Sequence, residues 1–234
     1  MKTEELLDEI RNQKAHIDWA HVTSEHNGHK LRIAVMADAV RFDDVPPMNW
    51  HREPRAPRAN EKVSYDGVRL PVTANEMQQV ADLLGSMLLT PKVLDLIWQQ
   101  AGQSGTQLES VVNVGGQIVA LSDIHLVHEA VEAAIIKVGG PNGGIREAVG
   151  KYWVLCIRPV SGKFGLHQAV NYAWFTKGRG NGPGVTNTVN VWQTLGAAHD
   201  SQHIDPSQVI RLMYRWGWLL RNGSSTWEQV DRAE

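Results

Sequence analysis

The final third of the chain holds several short runs rich in β-branched and aromatic residues, separated by glycine-rich turns. The runs cover residues 152–158, 170–175, 186–192 and 209–214. Such residue types favour extended strands, and short glycine-containing turns join neighbouring strands of an antiparallel sheet. The sequence therefore predicts a mostly antiparallel β region between residues 150 and 220.

The middle of the chain carries helix signals instead. Thr73 and Glu76 have the spacing of a capping box, in which each side chain bonds the other residue's backbone amide. Thr90 precedes a proline at a first helical position, and Ser122 is placed to cap a third helix. These signals predict a helix-rich half at 63–145. Together with the β-rich final third they predict the α+β class, with a helix-rich middle followed by strands.

The N-terminal region adds a helix and an irregular segment. Residues 1–18 place Leu6, Leu7 and Ile10 on one face of an amphipathic helix. Residues 45–62 are dense in proline and arginine, which predicts an exposed loop. At 234 residues the chain is long enough for a sizeable hydrophobic core, and we expect a single domain.

A β-hairpin is also expected near the N-terminus. The sequence His26-Asn-Gly-His29 contains the dipeptide most typical of a two-residue hairpin turn. After it, Leu31, Ile33 and Val35 recur at every second position, as in a half-buried strand.

The charge balance narrows the classes of partner. Lys and Arg number 23 against 25 Asp and Glu, so the basic excess typical of nucleic-acid-binding proteins is missing. No apolar run reaches the length of about 18 residues that predicts a membrane span. The acidic N-terminal sequence is unlike a signal peptide, and the single Cys156 cannot form an internal disulfide. We therefore expect synthesis in the cytoplasm, no nucleic-acid partner and no membrane span.

One polar stretch stands out as a candidate site. His199, Asp200, His203, Asp205 and Ser207 follow one another within nine positions, directly before the last predicted long strand. Binding and catalytic residues concentrate in loops that a rigid element holds in place. The stretch is therefore predicted to be a polar loop with an enzyme-like site.

Nucleophilic catalysis is one chemistry for this stretch. Ser207 would attack, His199 would act as its base and Asp205 would orient the imidazole, because a serine hydroxyl reacts only when a neighbour accepts its proton. No Gly-x-Ser-x-Gly elbow surrounds Ser207. Cys156 is a second possible nucleophile, although its apolar neighbours are more typical of a buried structural cysteine.

Two other interpretations stay open for the same residues. His199, His203 and Asp205 could hold zinc, but Pro206 argues against the helix that such His spacing usually requires. Alternatively, Asp205 and Ser207 form an ordinary hydrogen-bonded turn without catalytic function.

The arrangement Tyr172-Ala-Trp174, His199, Asp205-Pro-Ser207 and Ile210-Arg-Leu212 resembles a family of bacterial, often secreted proteins with no assigned activity. The resemblance covers residues 30 to 215. It places several residues near the family's recurrent polar positions: His128, Lys151, Asn171, His199, Asp205, Ser207 and Arg211.

A fainter similarity is to the catalytic domain of L,D-transpeptidases, whose signature pairs an upstream histidine with Ser-His-Gly-Cys-Ile-Arg. Here His199 precedes Ser207-Gln-Val-Ile-Arg211 at a shorter interval, and the motif has no cysteine. Cysteine chemistry therefore does not carry over. The similarity implies a β-rich site for cell-wall peptide, in which Arg211 binds a carboxylate through its two-pronged guanidinium.

These observations lead to a hypothesis of function. We expect an endolysin-like hydrolase, of the kind that bacteriophages use, that degrades peptidoglycan after release from the cell. His199 would be the acid/base, Asp205 would orient it and Ser207 would polarise or attack the substrate. The predicted substrate-binding residues are Arg211, Asn171, Tyr172, Trp174, Trp192, Lys151 and His128. A non-catalytic glycan- or peptide-binding module and a zinc-dependent hydrolase are the alternatives, and no cofactor is expected for the leading hypothesis.

Overall fold

The computed structural model describes residues 3–42, 67–108, 124–139, 144–147, 149–156, 168–176, 182–204 and 207–231. Its helices are α1 (Thr3–Arg11), α2 (Ala74–Leu83), α3 (Pro91–Gln103) and α4 (Ile124–Lys137). The first strands are β1 (Ala15–His16), β2 (Trp19–His26), β3 (His29–Met36), β4 (Arg41–Phe42), β5 (Val68–Arg69) and β6 (Ser86–Leu88). The others are β7 (Lys151–Trp153), β8 (Gln168–Thr176), β9 (Gly182–Pro183), β10 (Asn190–Asp200), β11 (Leu212–Leu220) and β12 (Trp227–Asp231).

The predicted division into a helix-rich middle and a β C-terminal third is wrong. The described part of the chain is mostly antiparallel β-sheet, with three sheets and four short helices. Strands β1 to β5 precede the first middle helix, and β6 separates α2 from α3. The error arises because strands from the two ends of the chain share a sheet, a pairing that local sequence patterns do not reveal.

Local signals at the N-terminus appear in the structure, but the helix is shorter than the predicted 1–18: it ends at Arg11, and Ala15–His16 form β1. Helix α1 buries Leu6, Leu7 and Ile10. Strands β2 and β3 pair as a hairpin whose turn residues Asn27 and Gly28 both have positive φ, at 50° and 77°. Two consecutive positive φ angles match a turn that follows the twist of paired strands, which explains the Asn-Gly dipeptide. The predicted proline-arginine loop at 45–62 lies outside the described residues.

The capping prediction for α2 is also confirmed. The Thr73 hydroxyl accepts from the Glu76 amide at 3.1 Å, and the Glu76 carboxylate accepts from the Thr73 amide at 2.8 Å. The helix ends at Leu83, and Gly85 follows with a φ of 57°. Glycine adopts this left-handed conformation without a Cβ clash, so the chain can turn directly into β6.

Strand β11 organises the five-stranded sheet. One edge of β11 pairs with β3 of the N-terminal hairpin. The other edge pairs with β6 near its start and with β12 near its end. The sheet therefore joins both ends of the chain to the segment between α2 and α3.

The four-stranded sheet has the order β7-β8-β10-β9 and separates two hydrophobic clusters. Tyr152 and Tyr172 are register partners on one face, which packs with α3 and α4. Trp153 lies on the opposite face and packs with residues of α1 and α2. Because alternate residues of a strand face opposite sides, this register fixes which β7 and β8 side chains can meet.

Within the described residues, none of the helices combines the length and apolar character needed to cross a membrane.

Candidate functional site

One face of the four-stranded sheet collects several residues singled out from the sequence. Asn171 in β8 is paired with Trp153 of β7 on one side and with Gly196 of β10 on the other. Ala169, two residues before Asn171 in β8, is paired with His199 of β10. Paired residues share a face and alternate residues return to it, so Trp153, Asn171 and His199 project from the same side.

His199 belongs to the end of β10, which corrects its prediction as a loop residue. Its ring stacks on His203 with centroids 3.7 Å apart and planes 9° from parallel. The His203 ring also lies edge-on to Trp153, at 6.4 Å. The His203 ring therefore contacts side chains of both β10 and β7. We call the group of Trp153, Asn171, Gly196, His199 and His203 the Asn171 face.

Asn171 is fully buried, and among the described residues its side-chain nitrogen and oxygen have no hydrogen-bond partner. A buried amide without partners costs about 1–3 kcal/mol, so it requires an explanation in function or bound solvent. A Cβ on Gly196 would lie 2.9 Å from the Asn171 Oδ1 and 2.8 Å from the Gln193 Nε2. Glycine at position 196 thus leaves the space that the Asn171 side chain occupies.

The backbone around Asn171 is irregular. Ala173 and Trp174 have φ angles of 99° and 63°, in a region that non-glycine residues rarely adopt. The pairing of β10 with β8 shifts register on both sides of Gly196. Strained residues and bulges concentrate at functional sites, where they redirect side chains. Trp174 is half-buried, and its Nε1 has no partner among the described residues.

Ser207 lies away from His199. It is 4% exposed, and its carbonyl accepts from the Lys151 amide at 2.9 Å, on the edge of β7 opposite β8. The path from Ser207 to His199 crosses to β7, then to β8 and then to β10. These three steps of ~4.8 Å separate the two backbones by about 14 Å. Proton transfer between them would require hydrogen-bond distance, so the structure does not assemble the predicted pair. Asp205, the third member, lies outside the described residues.

The orientation of the His199 and His203 rings bears on the zinc alternative. The lone pairs of an imidazole lie in its ring plane, and the nearly parallel planes of His199 and His203 do not converge on one ion. No group of three or more His, Cys, Asp or Glu side chains arranged as metal ligands occurs within the described ranges. Asp205, the third ligand in this alternative, lies outside the described residues.

Arg211 has a structural position rather than the predicted substrate-binding one. It is fully buried, and its Nε and Nη2 donate to the carbonyls of Met36 and Ala37 at 2.9 and 3.0 Å. Its Nη1 donates to the Glu147 carboxylate and to the Tyr152 hydroxyl. Burial, followed by the charge of Glu147, raises the pKa of Tyr152 well above its usual value, so the phenol stays neutral. All three guanidinium nitrogens are thus engaged inside the protein.

A second buried ionic network surrounds Asp38. Arg69 donates to both of its carboxylate oxygens, at 3.1 and 2.6 Å, and Arg146 donates to one of them at 3.1 Å. Arg69 also bonds Glu132 of α4 at 2.5 Å. Burial alone would raise the pKa of Asp38, but the charge and hydrogen bonds of Arg69, with further positive charges nearby, hold it well below its usual range. We call Asp38, Arg69, Arg146 and Glu132 the Asp38 network.

His128 of α4 borders this network, with its Nδ1 3.5 Å from Arg69 Nη1. The sequence predicted a substrate-binding role for His128, but the side chain is buried. Burial and then the charge of Arg69 lower the pKa of His128 to about 3. The imidazole is therefore neutral at physiological pH, and it lies beside the Asp38 network rather than on the Asn171 face.

A pH dependence of stability follows from His128. Between its ordinary pKa of 6.5 and its native pKa of about 3, the unfolded chain binds a proton that the native protein does not. The free energy of unfolding should therefore fall with decreasing pH, by about 2 kcal/mol between pH 7 and 5 from this residue. His128→Gln should remove that part of the slope in urea denaturation at several pH values. His26→Gln, at an exposed position, is the matched control, and an unchanged slope in His128→Gln would contradict the neutral native imidazole.

Tyr172 faces away from Asn171 and binds Asp95 of α3. Its hydroxyl donates to the Asp95 carboxylate at 2.5 Å and accepts from the Val185 amide at 2.9 Å. The second Asp95 oxygen accepts from the Thr186 amide at 2.8 Å. Burial and then the hydrogen bond to Asp95 raise the pKa of Tyr172 above its usual value. The Tyr172–Asp95 pair holds the segment after β9 against α3, so the predicted substrate-binding role of Tyr172 is not supported.

The other predicted residues occupy different positions around the sheet. Lys151 is buried in β7, where it pairs with Ala173, and Trp192 is half-buried in β10. Cys156 follows β7 and packs half-buried against the larger hydrophobic cluster.

Sequence reasoning missed the Asp38 network and Asp95. One available signal was Arg69, a charged residue inside the apolar run Val68-Arg-Leu-Pro-Val72. A charge in such a run has to find a buried partner, because an isolated buried ion is very unfavourable.

Comparison with protein-family models finds no match. Searches of curated proteins and of solved structures likewise find no significant match.

Proposed function

We propose that this chain is a hydrolase that acts on a bacterial cell-wall polymer, with the Asn171 face as its active site. The observation that carries the proposal is the buried, unpartnered amide of Asn171 on the same strand face as the His199 imidazole. A polar group kept buried without a partner costs stability, and a substrate oxygen would supply the missing partner.

The chemistry of the two side chains suits hydrolysis of an acyl bond, such as the peptide bonds of peptidoglycan. His199 would take a proton from water as the water oxygen attacks the carbonyl carbon, and would return a proton to the departing amine. The Asn171 Nδ2 would donate a hydrogen bond to the carbonyl oxygen as it gains negative charge. Ser207 takes no part, because its position beyond β7 keeps it from His199.

The stack of His203 on His199 has to open for this chemistry. Asn171 is fully buried, and on the same face the His203 ring contacts both His199 of β10 and Trp153 of β7. A substrate would displace the His203 ring, and its own apolar groups would then contact Trp153. Catalytic hydrogen bonds commonly form only when substrate is bound, so the closed arrangement is compatible with the role.

Incubation of the purified protein with peptidoglycan sacculi tests the proposal. We expect release of soluble fragments with new amino groups, and a loss of about 10²-fold or more in rate for His199→Ala, the usual scale for removing a general base. Asn171→Ala should lower kcat by a comparable factor, as expected for a donor that stabilises developing charge.

Matched variants make the outcome decisive. His21→Ala removes a histidine from the other sheet, where it lies edge-on to Trp218, and should leave the rate unchanged. Fragment release that persists in His199→Ala would remove this residue from the mechanism. Binding of sacculi without any release would instead favour the non-catalytic module, and reducing ends without amino groups would show glycosidic cleavage.

A further inference from the structure

The five-stranded sheet has one face that points away from the hydrophobic core. Arg32 of β3 is the register partner of Thr23 in β2 and of Trp218 in β11, so these side chains lie on one side of the sheet. The adjacent row of partners points to the other side, where Val22 and Ile33 are buried in the larger hydrophobic cluster. The row that contains Arg32 and Trp218 therefore faces outward.

Aromatic side chains recur on this outward face. They are Trp19, Tyr214, Trp216, Trp218 and Trp227. We call these rings, together with Arg32, the Trp216 face. Trp19, Tyr214 and Trp216 are 41%, 37% and 37% exposed, respectively. Outward positions of a sheet are usually polar, so a group of exposed aromatic side chains there indicates a binding surface.

The rings of the Trp216 face are held by contacts with their neighbours. The Arg32 guanidinium lies 4.7 Å from the centre of the Trp227 ring. The His21 ring lies edge-on to Trp218, with centroids 5.7 Å apart. Side chains that are fixed before a ligand arrives lose less conformational entropy on binding.

The charge of Arg32 has no carboxylate partner among the described residues, where its contact is with an aromatic ring. The other cationic side chains nearby are paired: Lys30 lies 3.6 Å from Glu25, and Arg215 donates to Asp231 at 2.7 Å. A guanidinium offers two parallel donors that match the two oxygens of a carboxylate. The face therefore combines apolar ring surfaces with a site for an anionic group.

The dimensions of the Trp216 face favour an extended ligand over a folded protein. The strands β12, β11, β3 and β2 together span about 14 Å, at ~4.8 Å for each interstrand step. The outward positions of β2 from Trp19 to Glu25 cover about 20 Å, at ~3.3 Å per residue. The area is thus on the order of 300 Å², below the ~800 Å² that each partner contributes to a standard protein–protein interface. A second copy of this chain would meet the same limit.

A glycan strand with carboxylate groups has the matching chemistry. The C–H faces of a sugar ring are apolar and pack on indole rings, while its hydroxyls require polar partners beside those rings. His21, Thr23 and Gln229 are exposed on the same side of the sheet and supply such partners. Extended peptides commonly bind a free sheet edge through backbone hydrogen bonds, whereas this surface offers side chains alone.

We propose that the Trp216 face binds the glycan strand of a cell-wall polymer that carries carboxylate groups. The choice of a cell-wall polymer rests on the proposed function, but the surface is separate from the Asn171 face because the two belong to different sheets. The Trp216 face holds the insoluble polymer, and the Asn171 face acts on a bond within it.

Co-sedimentation with purified peptidoglycan sacculi on ice tests this surface. We expect saturable binding that Trp216→Ala weakens about 3- to 10-fold, because one packing ring is lost. Arg32→Gln should weaken binding by a similar factor and also reduce its dependence on salt, which screens the interaction of exposed charges. Conversion of the sacculus carboxylates to amides should weaken binding of the unchanged protein and leave that of Arg32→Gln nearly unaltered.

Control variants separate this surface from the rest of the protein. Leu155→Ala and Lys92→Gln change exposed positions outside the Trp216 face and should bind as the unchanged protein does. His199→Ala should also bind fully, so a failure of the hydrolase proposal would leave this result intact. Circular dichroism spectra of each variant establish that a loss of binding is not a loss of fold.

Several outcomes would overturn the proposal. One is binding that neither Trp216→Ala nor Arg32→Gln weakens, and another is equal binding of the unchanged protein to native and amidated sacculi. Competition by free stem peptides as strong as that by glycan strands would assign the surface to peptide instead. A concentration-dependent dimer that Trp216→Ala abolishes would show that a second copy of the chain occupies it.

Discussion

Asp38→Ala is expected to lower the free energy of unfolding by about 3–5 kcal/mol, the usual cost of removing one partner from a buried ion pair. The substitution leaves Arg69 and Arg146 without the carboxylate that they share. Burial makes their charges difficult to hydrate, and among the described residues Glu132 would remain as the only carboxylate partner of Arg69. Urea denaturation followed by tryptophan fluorescence would measure the change.

An exposed arginine-carboxylate pair provides the control for Asp38. Arg221 and Glu228 lie 3.0 Å apart, with side chains about half exposed, and Glu228→Ala should cost less than about 1 kcal/mol. A loss for Asp38→Ala as small as that for Glu228→Ala would show that the Asp38 network contributes little. The pKa of Asp38 is lowered, so its contribution should persist above the ordinary carboxyl pKa of 3.8 and be lost only in stronger acid.

Arg211→Met should destabilise the protein by a similar amount, about 3–5 kcal/mol. The variant keeps most of the apolar volume but removes the donors to the carbonyls of Met36 and Ala37. It also leaves the buried Glu147 carboxylate without its arginine. Thermal and urea unfolding would both show the loss. Were Arg211 a substrate ligand instead, the variant would keep its stability and lose substrate affinity.

A double variant distinguishes the charge of Glu147 from the lost backbone contacts. Glu147→Gln in the Arg211→Met background removes the carboxylate charge that Arg211 no longer pairs with, and should restore about 1–3 kcal/mol of the lost stability. Glu147→Gln alone should be destabilising, because it removes the ionic partner of Arg211. If the loss of stability in the double variant equals the sum of the losses in the two single variants, the two side chains are not directly coupled.

Elements built from neighbouring residues could be predicted from the sequence. The capping box of Thr73 and Glu76, the Asn27-Gly28 turn and the apolar face of α1 each depend on residues a few positions apart. Their physical causes are local hydrogen bonds and backbone conformation, which residue type determines directly.

The pairing of distant strands could not be predicted in this way. Strand β11 joins β3 and β6, and β10 extends as far as Asp200 because β8 offers a partner along that length. The polar residues His199 and Asp200 have low strand preference by themselves, so the sequence suggested a loop. Tertiary pairing overcame that local preference.

Two residues selected from the sequence lie together in the structure. His199 and Asn171 were selected for their polar side chains, and the register of β8 with β10 brings them to one face. Ser207 was chosen for its nearness in sequence to His199, but β7 and β8 lie between their backbones. The roles of Gly196 and Asp38 depend on contacts with distant residues, for which no local motif exists.

The shared strand β11 also constrains how the protein forms during synthesis. Arg211 and its backbone acceptor at Met36 are 175 positions apart, and β3 completes its pairing only with β11. At about 5–20 residues per second, a ribosome adds that length in roughly 10 to 35 s. Throughout this interval the emerging hairpin exposes an edge able to recruit strands from other nascent chains. Slower elongation should therefore increase aggregation, whereas a chaperone that shields β3 should raise the soluble yield.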